Sequence, residues 1–449
     1  MQSSFQPKEH SNTALATIAI VIWMWLAYLL NYCDRQAIFA MFPVLKTDLQ
    51  MTDLQLGLTG TVFLWVYGLG CPIAGILADR FPKGKLVVVS LILWSLVTIL
   101  TGLSTSATML LGLRAAMGIS EALFMPAAIA LTSEATPQKW RSKAVASLTT
   151  AQIVGIVAGA SFGGSMAQSG QWRQAFFILG SIGLLYALPY AWFFLIHFPQ
   201  REELRTQSHS TNDNVAHDEP SFANHSWTYR ILTLLLTPTF CFLCLIFPLF
   251  VFGLWMIYSW LANYIQEIFG LTLAQAGWTS TVYLQSATLV GLFVGGFVAD
   301  YWRTKYQSGR FMALLVSLLG CAPILVAIGQ VDRLEHMKIL LVAFGFLSGW
   351  MMGNIFPATF EVISKESRAS AVGILNLFGA ILSGFAPLLV GAWKDSLGLP
   401  GMLCVAASAY LIAAALLLLT IFVYLPSDLV RRNLEQYIPD EHELPNPNR

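Results

Sequence analysis

Apolar residues in this chain gather into runs of about 20 or more, the length that carries a helix across about 30 Å of hydrocarbon at 1.5 Å per residue. Gly, Pro or a charged cluster marks the ends of each run. The pattern predicts an all-α membrane protein of twelve spans, at 14–42, 54–78, 85–104, 107–134, 143–168, 173–196, 238–268, 273–299, 310–330, 337–363, 368–393 and 400–424. A polar stretch from Pro199 to Arg230 reads as a flexible linker, and a second polar stretch follows Pro426. The expected organisation is an N-terminal six-helix bundle over 1–196, a cytoplasmic linker over 197–236, a C-terminal six-helix bundle over 237–425 and a cytoplasmic tail over 426–449.

Composition supports this reading. Of 449 residues, 56% are hydrophobic and 11% charged, whereas soluble domains carry about 25% charged residues to cover their surface. The first ten residues are polar and include an acid, so no cleavable signal peptide is expected and the first run is itself a span. A net charge of +1 offers no reason to expect a nucleic-acid partner. His209, His217 and His225 fall in the linker without metal-ligand spacing, and the Cys241/Cys244 pair has no His or second CxxC beside it. No metal or other cofactor is expected, and no motif suggests an enzyme.

The distribution of charge says more than its sum. With both termini cytoplasmic, 18 Lys and Arg residues fall inside, from Lys8 to Arg449. Only Lys46, Arg173, Arg333, Lys338 and Lys394 fall outside. The positive-inside rule selects that orientation. The chain also repeats. Gly75-Ile-Leu-Ala-Asp79 is matched by Gly296-Phe-Val-Ala-Asp300, the Gly118 to Ala127 segment by Gly349 to Ala358, and Arg141-Ser-Lys-Ala-Val145 by Arg368-Ala-Ser-Ala-Val372. The offsets of 221, 231 and 227 residues agree on one duplication of about six spans. Parallel repeats of this kind place a substrate site between the halves near the bilayer midplane.

Specific motifs carry a family resemblance. Gly75-Ile-Leu-Ala-Asp79-Arg80-Phe-Pro-Lys83-Gly-Lys85 resembles the loop signature of the major facilitator superfamily between spans two and three, with Pro82 where that family usually has Gly. Asn31-Tyr-Cys-Asp34-Arg35 and Arg114 with Gly118-Ile-Ser-Glu121-Ala resemble the anion:cation symporters, which carry sugar acids and other organic anions, and also the spinster-type lipid carriers. Gly373-Ile-Leu-Asn376-Leu-Phe-Gly379, with Pro387 and Gly391, and Trp260-Leu-Ala-Asn-Tyr264 favour the first group. The resemblance runs over all twelve predicted spans.

The residues point the same way by their chemistry. An ionisable side chain inside a span is a functional-site hypothesis by default. Four stand out: Asp34 and Arg35 in span one, Arg114 and Glu121 in span four. Counting residues from the predicted outer ends puts Arg35 and Arg114 about 10 Å deep and Glu121 about 10 Å deeper. The arginines offer a planar fork for a carboxylate, and Asp34 and Glu121 are the candidate proton carriers, since no span interior holds a histidine. An anion that occupies the arginines leaves a carboxylate free to take a proton, so each binding event favours the other. The competing reading is a set of buried salt bridges that only locks spans one and four together.

The C-terminal spans supply hydroxyls and amides rather than deep charge: Tyr264, Gln285, Asn376 and Ser383 are candidate contacts for a hydroxylated ligand, with Tyr32, Tyr67 and Gln152 in the N-terminal half. The resemblance raises Asn376 and Tyr67 among these. Asp79, Arg80, Arg141, Asp300 and Arg368 read as a conformational latch between the halves on the cytoplasmic side, a role the resemblance implies for Asp79 and Arg141; solvated loop charges are the alternative. The expectation is a proton-coupled symporter of a small organic anion such as a hexuronate or aldonate, a monomer in the bilayer of a bacterial inner membrane. A spinster-like lysolipid or sphingolipid carrier is the first alternative. A sugar-phosphate exchanger is the second, although span seven lacks the basic residue that would face Arg35.

Overall fold

The structure, a computed structural model, describes residues 8–137, 140–196, 234–364 and 367–437. Nearly all of the linker therefore lies outside the described residues. The helices are α1 (Lys8–Ala37), a 3-10 turn (Ile38–Met41), α2 (Phe42–Asp48), α3 (Asp53–Arg80), α4 (Lys83–Gly102), α5 (Ala107–Ala122), α6 (Phe124–Ala135), α7 (Arg141–Gln168) and α8 (Trp172–Ile196). After the linker come α9 (Pro238–Phe269), α10 (Leu273–Lys305), α11 (Gly309–Ile328), α12 (Leu334–Val362), α13 (Arg368–Leu419) and α14 (Leu425–Tyr437). No strand occurs among the described residues.

Eleven stretches among the described residues are long and apolar enough to cross a membrane. The last of them, Ser370–Arg432, is 63 residues long. Its main helix, α13, is helical throughout except at Gly398, whose backbone turns into the left-handed region (φ 64°) just before Pro400. The twelve-span expectation placed a boundary there, between 393 and 400, where the helix bends at a single residue.

Local chemistry explains the helix ends. Thr52 and Gln55 form a capping box at the start of α3, and Thr272 and Gln275 form another at the start of α10. The two caps are 220 residues apart, close to the repeat offset seen in the sequence. Pro126 has no N–H to offer the carbonyl of Ala122, and the predicted fourth span accordingly divides at Leu123 into α5 and α6, two residues after Glu121.

Small residues set how closely the helices pack. Gly155, Gly159 and Gly163 of α7 lie against the backbone of α1 at Leu29, Cys33 and Ala37, where a Cβ would overlap it. The repeat-related halves meet along two seams. In one, α3 runs beside α13: Gly57 abuts Pro387, Trp65 donates to the Ile381 carbonyl at 2.9 Å, and Gly68 abuts Ala380. In the other, Gly164 of α7 and Gly277 of α10 pack on the opposing backbone. Farther along the first seam, Gly75 and Gly373 face no atom within 4 Å. The helices are zipped at one end and apart at the other.

The predicted polar tail is not wholly extended. Its first part is α14, with Leu425 buried, Leu429 packed on the core, and Asp428 accepting from the Thr239 N–H at the start of α9 at 2.8 Å.

Candidate functional site

The last turn of α1 brings Asn31, Tyr32, Asp34, Arg35 and Gln36 to the centre of the molecule. Arg35 reaches α5, where its Nη2 lies 2.5 Å and its Nε 3.0 Å from one oxygen of Glu121. Asn31 Oδ1 accepts from the same Nη2 at 3.5 Å. Three rings surround the guanidinium: Tyr32 and Phe63 at 4.8 Å and Tyr67 at 4.9 Å from its carbon. Arg35 is 6% exposed and Glu121 is fully buried, so the pair sits in a low-dielectric box whose ring faces favour a cation.

The other two charges are placed differently. The guanidinium carbon of Arg114 also lies 4.8 Å from the centre of the Phe63 ring, so one ring serves two guanidiniums. Its Nε donates to the Thr59 carbonyl at 3.3 Å, while Nη1 and Nη2 are buried without a hydrogen-bond partner. Asp34 turns away from Arg35 toward α4 and accepts from the Thr98 hydroxyl at 3.2 Å. The expected single column of two carboxylates and two arginines is therefore one ion pair, one carboxylate on a hydroxyl and one arginine without a carboxylate in contact.

The depth estimate also needs correction. Counting from residue 42 put Arg35 level with Arg114 and well above Glu121, yet Arg35 touches Glu121. The helical path continues through the 3-10 turn and α2 to Asp48, 13 residues beyond Arg35 or about 20 Å. Arg35 thus lies near mid-depth.

From the second half, Gln285 faces this group. It is 2% exposed, its Nε2 has no hydrogen-bond partner, and its side chain meets the Tyr258 hydroxyl, which itself lies within electrostatic reach of Tyr32. Gln152 is half-buried on α7, one turn before Gly155, which packs on Tyr32. Asn376 is exposed one turn before Gly379 and Ala380, on the face of α13 that meets Phe247 and Gly68. That places it where the seam begins to part. Ser383 is buried with its hydroxyl unpartnered. Tyr264 is not part of this set. Six residues beyond Tyr258, it donates to the Gly329 carbonyl at 3.2 Å and lines a separate cavity of about 260 Å³ with Trp260, Asn263 and Lys394.

Just beyond Arg35 the halves are clasped. Gln36 Nε2 donates to the Tyr258 carbonyl at 2.9 Å, and Asn263 Nδ2 donates to the Phe39 carbonyl at 3.1 Å, one amide from each half. Phe42 meets Trp260 edge-on between them, with ring centroids 5.0 Å apart. Sequence reasoning passed over Gln36, Thr98 and Phe63. A neutral amide, a hydroxyl or an aromatic ring in an apolar run carries no signal until its neighbour is known.

At the open end, the described charges hold their own halves. Asp300 pairs with Arg310 at 2.5 Å, Lys83 with Glu134 at 3.0 Å, and Arg141 donates to the Ser133 carbonyl at 2.9 Å. Arg368 lies over the Phe360 ring at 5.1 Å. The side chains of Asp79 and Arg80 are outside the described residues.

Comparisons with known proteins agree with this architecture. The Major Facilitator Superfamily profile matches residues 24–328 and again 243–437. The chain is 27% identical to a probable sulfoacetate transporter, SauU, of Cupriavidus necator, over 82% of this chain and 85% of that one. It is 24% identical to a probable galactarate/D-glucarate transporter, GudP, of Bacillus subtilis, over 84% and 86% of the two chains. A bacterial homologue of the human lysosomal transporter Spinster, in an inward-facing and occupied conformation, shares the fold with a TM-score of 0.73 at 22% identity, over 92% of this chain and 98% of that one.

Proposed function

The chain belongs to the major facilitator superfamily, and from that premise we propose that it is a secondary active carrier that moves a hydroxylated organic monoanion, a sugar acid such as a hexuronate or aldonate, together with a proton. The observation that carries the reading is the buried contact between Arg35 and Glu121 at the seam of the two halves. An incoming carboxylate competes with Glu121 for the Arg35 fork. A proton on Glu121 removes that competition, so proton and anion enter together. Asp34, on its Thr98 hydroxyl, is the second proton carrier. Arg114 has no carboxylate in contact and keeps the surroundings favourable to negative charge.

The body of the ligand lies against Tyr32, Tyr67, Gln152, Gln285, Asn376 and Ser383. The two transporter relatives named above support an anionic cargo. Arg35 is the arginine in contact with Glu121, so a proton on Glu121 frees one fork, which favours a single negative charge at the gripping end.

The kink at Gly398 divides the eleventh stretch into two crossings, twelve in all, because 52 unbroken helical residues would run about 78 Å, more than twice the hydrocarbon thickness. The lysine and arginine bias puts both termini in the cytoplasm of a bacterial inner membrane, in two bundles over 1–196 and 237–425. The parted end then faces inward. Closing it brings Asp79, Arg80 and Arg141 toward Asp300 and Arg368, which form the latch of the outward-open state. One chain encloses the whole site and acts as a monomer.

The test is a binding competition with purified protein, using D-glucuronate, D-galactonate, their deoxy analogues and lysophosphatidylcholine, in the natural protein and in Asn376→Leu. Hydroxylated monoanions bind best, and the leucine variant loses about 1–3 kcal/mol on them. Tight binding of the lysolipid, indifferent to hydroxylated anions, would overturn this reading.

A further inference from the structure

Side chains from five helices of the second half gather around Glu361 at the parted end. Glu361, near the end of α12, is 6% exposed. Its Oε1 is shared by Arg303, from the end of α10, and by Arg310, from the start of α11, the latter at 2.9 Å. Its backbone carbonyl accepts from Arg432 of α14. Arg368, at the start of α13, lies within electrostatic reach of Arg432 and over Phe360.

The balance of charge here is unequal. Four guanidiniums, from Arg303, Arg310, Arg368 and Arg432, face two carboxylates, Glu361 and Asp300, among the described side chains. Among the described side chains this leaves a surplus of two positive charges, which favours a counter-anion. Three polar atoms are also buried without a hydrogen bond: Arg368 Nε, a donor; Glu361 Oε2, an acceptor; and Arg310 Nε, which has only its 2.9 Å ion contact with Glu361. What completes the cluster must bring an anionic oxygen for the first and a hydroxyl for the second.

The position selects the source. The cluster stands at the ends of spanning helices, where the headgroups of one leaflet lie. Helix α14 is held across these ends by Asp428 on the Thr239 N–H and by buried Leu425, which places Arg432 beside the cluster. We propose that this cluster binds the headgroup of an anionic phospholipid that carries both a phosphodiester and free hydroxyls, of the phosphatidylglycerol type, in the leaflet at the parted end. The phosphate lies on Arg368 and Arg432, and a headgroup hydroxyl donates to Glu361. The site goes beyond the transport reading and does not depend on the cargo. A lipid seated there also occupies Arg368, one of the latch residues, and so favours the parted state.

The experiment is native mass spectrometry of the full chain released from nanodiscs of equal phosphatidylglycerol and phosphatidylcholine. The natural protein retains phosphatidylglycerol preferentially. Arg368→Gln and Arg432→Gln each lower that retention about tenfold, as loss of one charge-assisted contact implies. Melting in phosphatidylcholine alone, unchanged in both variants, shows that they fold. Retention that ignores lipid charge, or survives both substitutions, overturns the site. Displacement of the lipid by free sn-glycerol 3-phosphate would assign the cluster to a soluble phosphate and overturn the lipid assignment. Binding of sugar acids at the central site reads out separately and is expected to persist in Arg432→Gln, which lies outside the proposed latch.

Discussion

Arg35 and Glu121 meet at 2.5 Å through a single carboxylate oxygen, and the other, Glu121 Oε1, is buried with no hydrogen-bond partner. A buried acceptor left open is unfavourable unless something donates to it. A proton on that oxygen neutralises the carboxylate, lowers the cost of burying it and loosens the hold on Arg35.

Glu121→Gln fixes the neutral form of this carboxyl. Accumulation driven by an imposed pH gradient in proteoliposomes is expected to vanish, whereas counterflow exchange, which needs no net proton movement, persists. Under the proposed coupling of proton and anion, uptake by the natural protein is expected to rise as the external pH falls, and the variant's exchange rate to stay flat across the same range. Ordinary gradient-driven uptake by the variant would remove Glu121 from coupling.

Arg35→Lys keeps the charge and loses the planar fork, along with the fit of a flat cation among Tyr32, Phe63 and Tyr67. Affinity for D-galactonate is expected to fall nearly as far as in Arg35→Ala, by about 1.5–3 kcal/mol. Calorimetric titration of both variants decides it; a lysine protein with natural affinity means that Arg35 acts as a point charge.

Gln36→Leu with Asn263→Leu removes the reciprocal amide clasp at the zipped end. Each such bond in a membrane protein contributes about 0.6 kcal/mol, with a maximum near 1.7. The pair therefore shifts the population toward the state opened at that end by about eightfold at the average value, and by about 300-fold at the maximum. Spin-label distances between Lys46 and Lys394, each changed to Cys, measure the shift. An unaltered distance distribution rules the clasp out as a determinant of closure.

Gly159→Leu forces a side chain into the backbone of α1 at Cys33. Overpacking of this kind costs about 1–3 kcal/mol or more, and here it displaces the turn that carries Asp34 and Arg35. Thermal melting in detergent is expected to drop, with loss of anion binding. Gly112, with no neighbour within 4 Å, is the control: Gly112→Ala leaves both unchanged.

Much of this molecule was legible in the sequence because its determinants are local. Span lengths follow from runs of apolar residues, the capping boxes at Thr52 and Thr272 from a few adjacent positions, and the duplication from three matched segments. The four intramembrane charges announced themselves by the penalty of burying them. The family profile, matched over 24–328 and again over 243–437, agrees with the resemblance carried by those same motifs.

Which of those charges meet was decided only by the tertiary structure. Asp34 and Arg35 are neighbours in sequence, yet one turns to Thr98 of α4 and the other to Glu121 of α5. Phe63 stands between two arginines, and Tyr264, grouped by sequence with the ligand contacts, bonds to Gly329 elsewhere. These outcomes depend on how far each helix is rotated and how closely it approaches its neighbour. That is set by glycines such as Gly159 and Gly68, whose effect is the absence of a side chain opposite another helix's backbone. Hydropathy and spacing register which residues lie in a span; the contact of two helices joins positions far apart in the chain, so its geometry exists only once both are packed.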